Sequence, residues 1–307
     1  MSHELILWIG FNVFIILMLA LDLGVFQRNP HTIKVKEALI WSAVWVILAL
    51  IFNLFIYYDM GEQKALEFFT GYLLERSLSV DNIFVFVLLF SYFKVPALYQ
   101  HKVLFWGVLG ALILRAILIG IGSIMVAKFG WIIYIFGGFL LFTGFKMAFQ
   151  TDKEIEPENN IIIRTFKKLF PVTHEYHDGK FIVTINKKKF ATPLLVVLVA
   201  VEFADLVFAF DSIPAIFAVT TDPFIIYTSN IFAILGLRTL YFAIASIMHK
   251  FHYLKIGLSL ILIFIGFKML IIDLYKIPIV FSLSIIALIL VASIVYSLAK
   301  PLKKGEK

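Results

Sequence analysis

The sequence predicts an all-α membrane protein, a polytopic transmembrane helical bundle of about nine spans. Of its 307 residues, 62% are hydrophobic and only 15% are charged, whereas soluble domains are usually about 45–50% apolar and about 25% charged. Apolar runs long enough to cross a bilayer recur along the chain, and a spanning helix needs roughly 20 such residues. The third observation is an internal repeat that places charged residues of different apolar segments in register.

Nine apolar segments are predicted to span the membrane: 5–26, 38–58, 67–92, 102–127, 130–150, 193–220, 226–248, 255–273 and 277–299. The first segment lacks the preceding positive charge of a signal peptide, so we expect it to be retained. Lys and Arg concentrate in alternate loops, and cytoplasmic loops carry this excess. The N-terminus is therefore predicted to lie outside and the C-terminus in the cytoplasm.

These segments divide the chain into five parts. Residues 1–66 hold two N-terminal spans, 67–150 a first group of three spans, 151–192 a cytoplasmic loop, 193–275 a second group of three spans, and 276–307 the last span with a basic tail. Within the loop, KFIVTINKKKF alternates apolar and polar residues around Asn186. This alternation predicts a small β-hairpin.

The internal repeat relates spans 3–5 to spans 6–8 in the same order. Matching positions carry similar side chains: Glu75 and Asp205, Asp81 and Asp211, Asn82 and Ser212, Arg115 and Arg238, Lys146 and Lys268. Since span 3 is predicted to run inward and span 6 outward, the repeats are inverted. Inverted repeats are typical of secondary transporters, whose substrate binds near the midplane between the halves. Duplication of a purely structural membrane protein is the alternative.

Charged side chains within the spans require partners, because each costs roughly 2.5–3.5 kcal/mol at the bilayer centre. Five are acidic and two basic: Glu75, Asp81, Glu202, Asp205 and Asp211, with Arg115 and Arg238. The two arginines leave three negative charges, or two if the nearby Arg76 is counted. A divalent cation would balance that remainder, and protonated carboxyl groups would do so equally well.

Each of these residues has an expected role. Asp81 and Asp211, with Asn82 and Ser212, are predicted metal ligands. Glu75, Asp205 and Glu202 would complete the ligand shell or relay protons, and Asp22, toward the cytoplasmic end of span 1, would guide ions. Arg115 and Arg238 would balance the charge of the empty site as gating residues, or serve as structural ion-pair partners. Because six residues turn a helix by about 600°, Glu75 and Asp81 should point about 120° apart, while Glu75 shares a face with Asn82. Asp205 likewise shares a face with Ser212, so neither helix aims both of its acids at one point.

The ligand types narrow the choice of ion. Carboxylate, amide and hydroxyl oxygens suit Mg, Ca and Mn. The chain has no cysteine, and its seven histidines lie in loops or at span ends. Zinc and copper prefer such nitrogen and sulfur ligands. A soft metal in the membrane centre is therefore not expected, and the choice among Mn, Mg and Ca stays open.

Several stretches resemble the TerC/Alx family of integral membrane proteins. They are ALDLGVF (20–26), LLERSLSVDNIFVF (73–86) and the run from ATPLLVV to GLRTLYF (191–242). The resemblance implies a bacterial inner-membrane protein of the LysE-like transporter superfamily that exports manganese; the direction of transport rests on it alone. The acidic motif positions of the family fall on Asp22, Glu75, Asp81, Asn82, Glu202, Asp205, Asp211 and Ser212.

The sequence and the resemblance together support two alternative functions. The first is a divalent metal exporter that carries Mn²⁺ across the lipid bilayer. Protons are the candidate coupling ion, and no bound organic cofactor is expected. The alternative is a membrane scaffold for a tellurite or stress-resistance complex, in which loop 151–192 would matter more than the buried acids. The sequence contains no hydrolase, kinase or nucleotide motif, so neither an enzyme nor a nucleic-acid partner is expected.

Overall fold

The computed structural model describes residues 3–26, 35–149, 163, 165–166, 170–173, 175–185, 187–245 and 253–299, without the side chains of 21–26, 81, 84 and 244. The helices are α1 (His3–Phe26), α2 (Val35–Met60), α3 (Glu62–Tyr92), α4 (Ala97–Lys128), α5 (Ile132–Phe149), α6 (Pro193–Phe217), α7 (Pro223–Leu235), α8 (Leu237–Ile244), α9 (Leu254–Leu270) and α10 (Ile279–Ala299). The predicted all-α bundle is confirmed.

Helix α1 belongs to a separate unit, residues 1–33, and is apolar along its length. All contacts described from here on lie within the second unit, residues 34–307.

Seven stretches of the described chain are long and apolar enough to cross a membrane. They are His3–Ala20 and five single helices, α2, α4, α5, α6 and α10, together with α7 and α8 taken jointly over Pro223–Ala243. Helix α3 is not among them because Glu75, Arg76 and Asp81 interrupt its apolar stretch, and α9 has only 17 residues. The count of nine spans and the repeat therefore stay predictions.

Helix α7 lies at the centre of the bundle. Its start follows from Asp222, whose Oδ1 accepts from the backbone N–H groups of Phe224 (3.0 Å) and Ile225 (3.4 Å). An aspartate at this position stabilises the first helical turn, and the following Pro223 needs no N–H partner there. From Phe224 to Leu235 every residue except Tyr227 is buried. The side chains at the outside of α2 and α10 are large and apolar instead.

Helix α7 ends where Gly236 separates it from α8. The guanidinium group of Arg76, on α3, packs against this glycine, and a Cβ atom at Gly236 would lie 2.2 Å from Nη1. Arg76 Nη1 donates to the carbonyl oxygen of Ala233 (3.2 Å), and Nη2 donates to Ser42 Oγ (3.0 Å). Carbonyl groups in the last turn of a helix lack partners within the helix. Arg76 therefore caps α7 and connects it to α2 and α3.

Helices α5 and α9 approach each other closely in antiparallel directions. Gly144 lies against Ser259 and Ile263, and Gly137 lies against Gly266. A Cβ atom at Gly266 would be 2.7 Å from the carbonyl oxygen of Gly137. Small residues permit such close backbone contact between membrane helices.

Replacement of Gly266 by alanine should therefore destabilise the bundle by about 1–3 kcal/mol, the usual cost of overpacking. The clash is with backbone atoms, which cannot rotate away. Gly138→Ala, on the neighbouring helix, is the control because its Cβ would meet nothing within 4 Å. Thermal unfolding of the two variants in detergent checks this, and equal unfolding temperatures would contradict the packing.

Two strands, β1 (Ile182–Ile185) and β2 (Lys188–Ala191), pair antiparallel in the segment where the alternating pattern predicts a hairpin. The segment before them packs on the end of α3 and the start of α4. Lys102 Nζ donates to the carbonyl oxygen of Gly179 (2.8 Å), and the Tyr176 hydroxyl donates to that of Phe93. Burial raises the pKa of the Tyr176 phenol, so this donor keeps its proton at neutral pH.

Candidate metal-ion site

The side chain of Arg115 holds two buried carboxylates from different helices. Its Nε donates to Asp205 Oδ2 (3.2 Å) and its Nη2 to Asp205 Oδ1 (3.0 Å), which is a two-pronged contact with α6. Its Nη1 also donates to Glu75 Oε1, on α3. Arg115 and Glu75 are 1% exposed and Asp205 is 2% exposed. A planar guanidinium suits such paired contacts with carboxylates.

Neutral polar side chains complete the cluster. Asn82 Nδ2 donates to Asp205 Oδ1 (3.3 Å), and Ser212 Oγ accepts from Arg115 Nη1 (3.2 Å). Asn230, on α7, accepts from Arg115 Nη1 through Oδ1 (3.3 Å) and donates to Glu75 Oε2 through Nδ2 (3.1 Å). We call Glu75, Asn82, Arg115, Asp205, Ser212 and Asn230 the central cluster.

The charges of the central cluster do not balance. It contains two carboxylates and one guanidinium, all of them buried. A buried ion pair is costly unless its charges are compensated and hydrogen-bonded. With both carboxylates ionised, the cluster carries one negative charge, which favours either a proton or an additional cation.

Two other predicted acids lie apart from this contact set. The carboxylate of Asp211 accepts a hydrogen bond from Thr143, on α5, where Lys146 is also close. The six-residue spacing from Asp205 turns Asp211 to another face of α6. Glu202, one turn before Asp205, faces Gly110 on α4, where a Cβ atom would lie 2.0 Å from Oε1. The second carboxylate oxygen of Glu202 is buried without a hydrogen-bond partner in the described structure.

Arg238 and Asp205 line a small cavity between α4, α6 and α8, together with Gly107. Its volume is about 10 Å³, which is room for about one water molecule. Arg238 is 5% exposed. It therefore lies beside the Asp205 side of the cluster, whereas Arg115 is inside it. The side chains of the remaining predicted ligands, Asp22 and Asp81, lie outside the described residues.

Asn230 is the member of the central cluster that sequence reasoning missed. The available signal was an amide inside a predicted span, since polar residues at membrane depth are rare and usually face the interior of a bundle. Its partner in the aligned repeat is Gly107, which has no side chain. The repeat comparison that selected the other residues therefore could not select Asn230.

Among the side chains that the structure describes, no three His, Asp or Glu residues are grouped so that they could hold a metal ion. In this arrangement the guanidinium of Arg115 lies between the carboxylates of Glu75 and Asp205. The oxygen atoms of the cluster are nevertheless of the types that Mg, Ca and Mn prefer.

The model of the family described as "Integral membrane protein TerC family" matches residues 60–304. This chain belongs to that family. Every residue of the central cluster falls within the matched TerC region. No solved structure matches the chain at a significant level.

Two similar proteins cover nearly the whole chain. An uncharacterized membrane protein of Myxococcus xanthus is 57% identical over 294 residues, which cover 96% of this chain and 92% of the relative. The Escherichia coli protein Alx, described as a candidate membrane-bound redox modulator, is 48% identical over 299 residues, covering 94% of this chain and 93% of its own length. Both relatives are described as membrane proteins, as expected for members of the TerC family.

Proposed function

We propose that this TerC protein exports a divalent metal ion, manganese first among the candidates, across the bacterial inner membrane. The observation that carries the proposal is the central cluster, in which Glu75 and Asp205 come from aligned positions of two helix groups and share one buried arginine. With both carboxylates ionised, the cluster is one positive charge short of neutrality while Arg115 is in place, and two short once Arg115 is displaced. An exchangeable divalent cation would supply those two charges.

The helix contacts support the predicted inverted repeat. A two-fold relation would exchange α3 with α6, α4 with the α7–α8 pair, and α5 with α9. Under that relation the contact between α3 and α7 corresponds to the contact between α6 and α4, and both are extensive. The α5–α9 contact would map onto itself, which requires the antiparallel packing seen at Gly137 and Gly144. Movement of one repeat against the other would then expose the cluster alternately to the two sides.

In this mechanism Arg115 is the resident counter-ion of the empty site. A divalent cation that approaches Glu75 and Asp205 competes with the guanidinium for their oxygen atoms. Asn82, Ser212 and Asn230 offer further oxygen ligands within the same cluster. Glu202, one turn from Asp205, is placed to take up or release a proton as the ion binds. Asp211, Asp81 and Asp22 remain proposed ligands along the path, and Arg238 a proposed charge-balancing residue.

The description of Alx as a redox modulator concerns that relative. A chain with no cysteine cannot form a thiol redox centre. Export of a redox-active metal such as manganese would change the redox state of the cytoplasm indirectly, so the two descriptions are compatible.

The test is metal flux in proteoliposomes that hold the purified protein, with Mn, Mg, Ca and Zn compared and a pH gradient imposed. We expect saturable flux of Mn²⁺ above that of Zn²⁺, and dependence on the gradient would identify protons as the coupling ion. No flux of any ion through folded protein would contradict the proposal.

A scaffold function is the second candidate, favoured by the exposed lysines Lys187, Lys188 and Lys189 at the hairpin. Replacement of Lys187, Lys188 and Lys189 by glutamine removes these exposed charges and leaves the buried acids of the central cluster in place. The scaffold function predicts that this replacement abolishes metal or tellurite tolerance in cells. The transport function predicts that tolerance persists.

A further inference from the structure

A second cluster of charges joins α3 to the turn between α6 and α7. Lys64 Nζ lies 2.9 Å from Glu67 Oε2 and 3.0 Å from Asp222 Oδ2. The Thr220 hydroxyl donates to the same Glu67 oxygen at 2.6 Å. We call Lys64, Glu67, Thr220 and Asp222 the polar latch.

The latch is partly shielded from solvent. The Glu67 side chain is 9% exposed, Asp222 21% and Lys64 31%. Burial alone would lower the pKa of Lys64, but its hydrogen bonds and charge interactions with Glu67 and Asp222 outweigh it, so the pKa is raised. The ammonium group therefore stays charged at neutral pH and holds both carboxylates. A shielded network of three charges with hydrogen bonds is stronger than a single exposed pair.

The latch connects the helices that carry the central cluster. Glu67 precedes Glu75 by eight residues on α3, and Asp222 precedes Asn230 by eight residues along α7. At 1.5 Å per residue, each separation is about 12 Å along its helix. The latch therefore lies about two helical turns from the central cluster, toward the end of the bundle where α3 begins.

Closely packed, buried side chains fill the space between the two clusters. Gly71, on α3, lies against Ser229 and Ile216, and a Cβ atom at Gly71 would be 2.9 Å from Ser229 Oγ and 3.6 Å from Ile216 Cγ2. Ser229 and Ile216 are fully buried. An ion can pass these packed side chains only if α3 moves away from α6 and α7, and the latch holds these helices together at their ends.

We propose that the polar latch is the gate at this end of the ion path, and that it must open before an ion passes between the central cluster and that side of the membrane. The role of the latch as a gate rests on the proposed transport function. Whether the latch closes this end of the bundle can be measured without transport. Opening exchanges the contacts of Lys64 with Glu67 and Asp222 for water.

The test uses the absence of cysteine from the chain. Ser229→Cys places a single thiol in the space between the clusters, and a charged, membrane-impermeant methanethiosulfonate reagent reports its accessibility. The latch is opened by Lys64→Met, or by Asp222→Asn, which keeps a side-chain oxygen to cap α7. The matched control is Lys128→Met, which removes an exposed lysine from the end of α4.

We expect Lys64→Met and Asp222→Asn to raise the initial rate of modification about tenfold, a change equivalent to about 1.4 kcal/mol, with no rise in Lys128→Met. Equal rates in all the proteins would overturn the gate.

If Ser229→Cys does not fold, the double variant Lys64→Cys/Asp222→Cys replaces it. A reducible cross-linker across that pair should block Mn²⁺ flux until it is reduced, and undiminished flux would overturn the gate. Faster labelling without any flux in the native protein would support closure here and count against transport.

Discussion

Replacement of Arg115 by methionine should destabilise the protein by about 3–5 kcal/mol, the cost of breaking a buried ion pair and leaving its partners uncompensated. Glu75 and Asp205 would then face each other inside the bundle with no positive charge between them. Under the proposed function, a divalent cation can take that place. The unfolding temperature of Arg115→Met should therefore rise when Mn²⁺ is added, and more than that of the native protein.

Arg76→Met is the matched control for this prediction. Arg76 is also an arginine in the interior, but its hydrogen bonds go to the carbonyl oxygen of Ala233 and the hydroxyl of Ser42, which are neutral. Removal of Arg76 should lower the free energy of unfolding by less than removal of Arg115 does. Added Mn²⁺ should not restore that lost stability. Thermal unfolding in detergent, with and without Mn²⁺, measures both variants. Equal responses to the metal would contradict the proposal that Arg115 and the cation compete for the carboxylates of the central cluster.

Replacement of either carboxylate by its amide should lower Mn²⁺ flux about a hundredfold, which corresponds to about 2.7 kcal/mol in binding or barrier. Glu75→Gln and Asp205→Asn keep the size and hydrogen-bonding oxygen of the side chain and remove its charge. Because the charge is what attracts a divalent cation, the loss should appear in flux and not in the amount of folded protein.

Glu62→Gln is the control for these two variants. It makes the same chemical change on the same helix as Glu75→Gln, at an exposed position, and should leave flux unchanged. Asp211→Asn is not a control: Asp211 contacts Thr143 and not the central cluster, but it is a proposed ligand along the path, so its replacement should also lower flux. Full flux in both Glu75→Gln and Asp205→Asn would place the ion path elsewhere.

The membership of the central cluster was largely predictable, and its contacts were not. Buried charges must find partners in a membrane, so the register of Glu75, Asp205 and Arg115 between the repeats was informative. Helical periodicity states which face of a helix a residue occupies, but not which neighbour that face meets. The sequence therefore left open whether Arg115 would pair with Glu75, with Asp205, or with both.

The same limit explains the features that were not foreseen. Asn230 has no polar counterpart in the first repeat, so the alignment of the two repeats did not identify it as a site residue. The polar latch joins Lys64 to Asp222, and nothing in either local sequence indicates a contact over so long a separation. The separation of Asp211 from Asp205 did follow from sequence, because six residues do not bring two side chains to one face of a helix.

The most direct test of the account is equilibrium binding of Mn²⁺ to purified native protein and to the triple variant Glu75→Gln/Arg115→Met/Asp205→Asn, which leaves no unpaired charge in the central cluster, measured by titration calorimetry. The account predicts a saturable site in the native protein that is absent from the triple variant, while both proteins unfold cooperatively. Equal Mn²⁺ binding by the two proteins would contradict the claim that these carboxylates hold the ion.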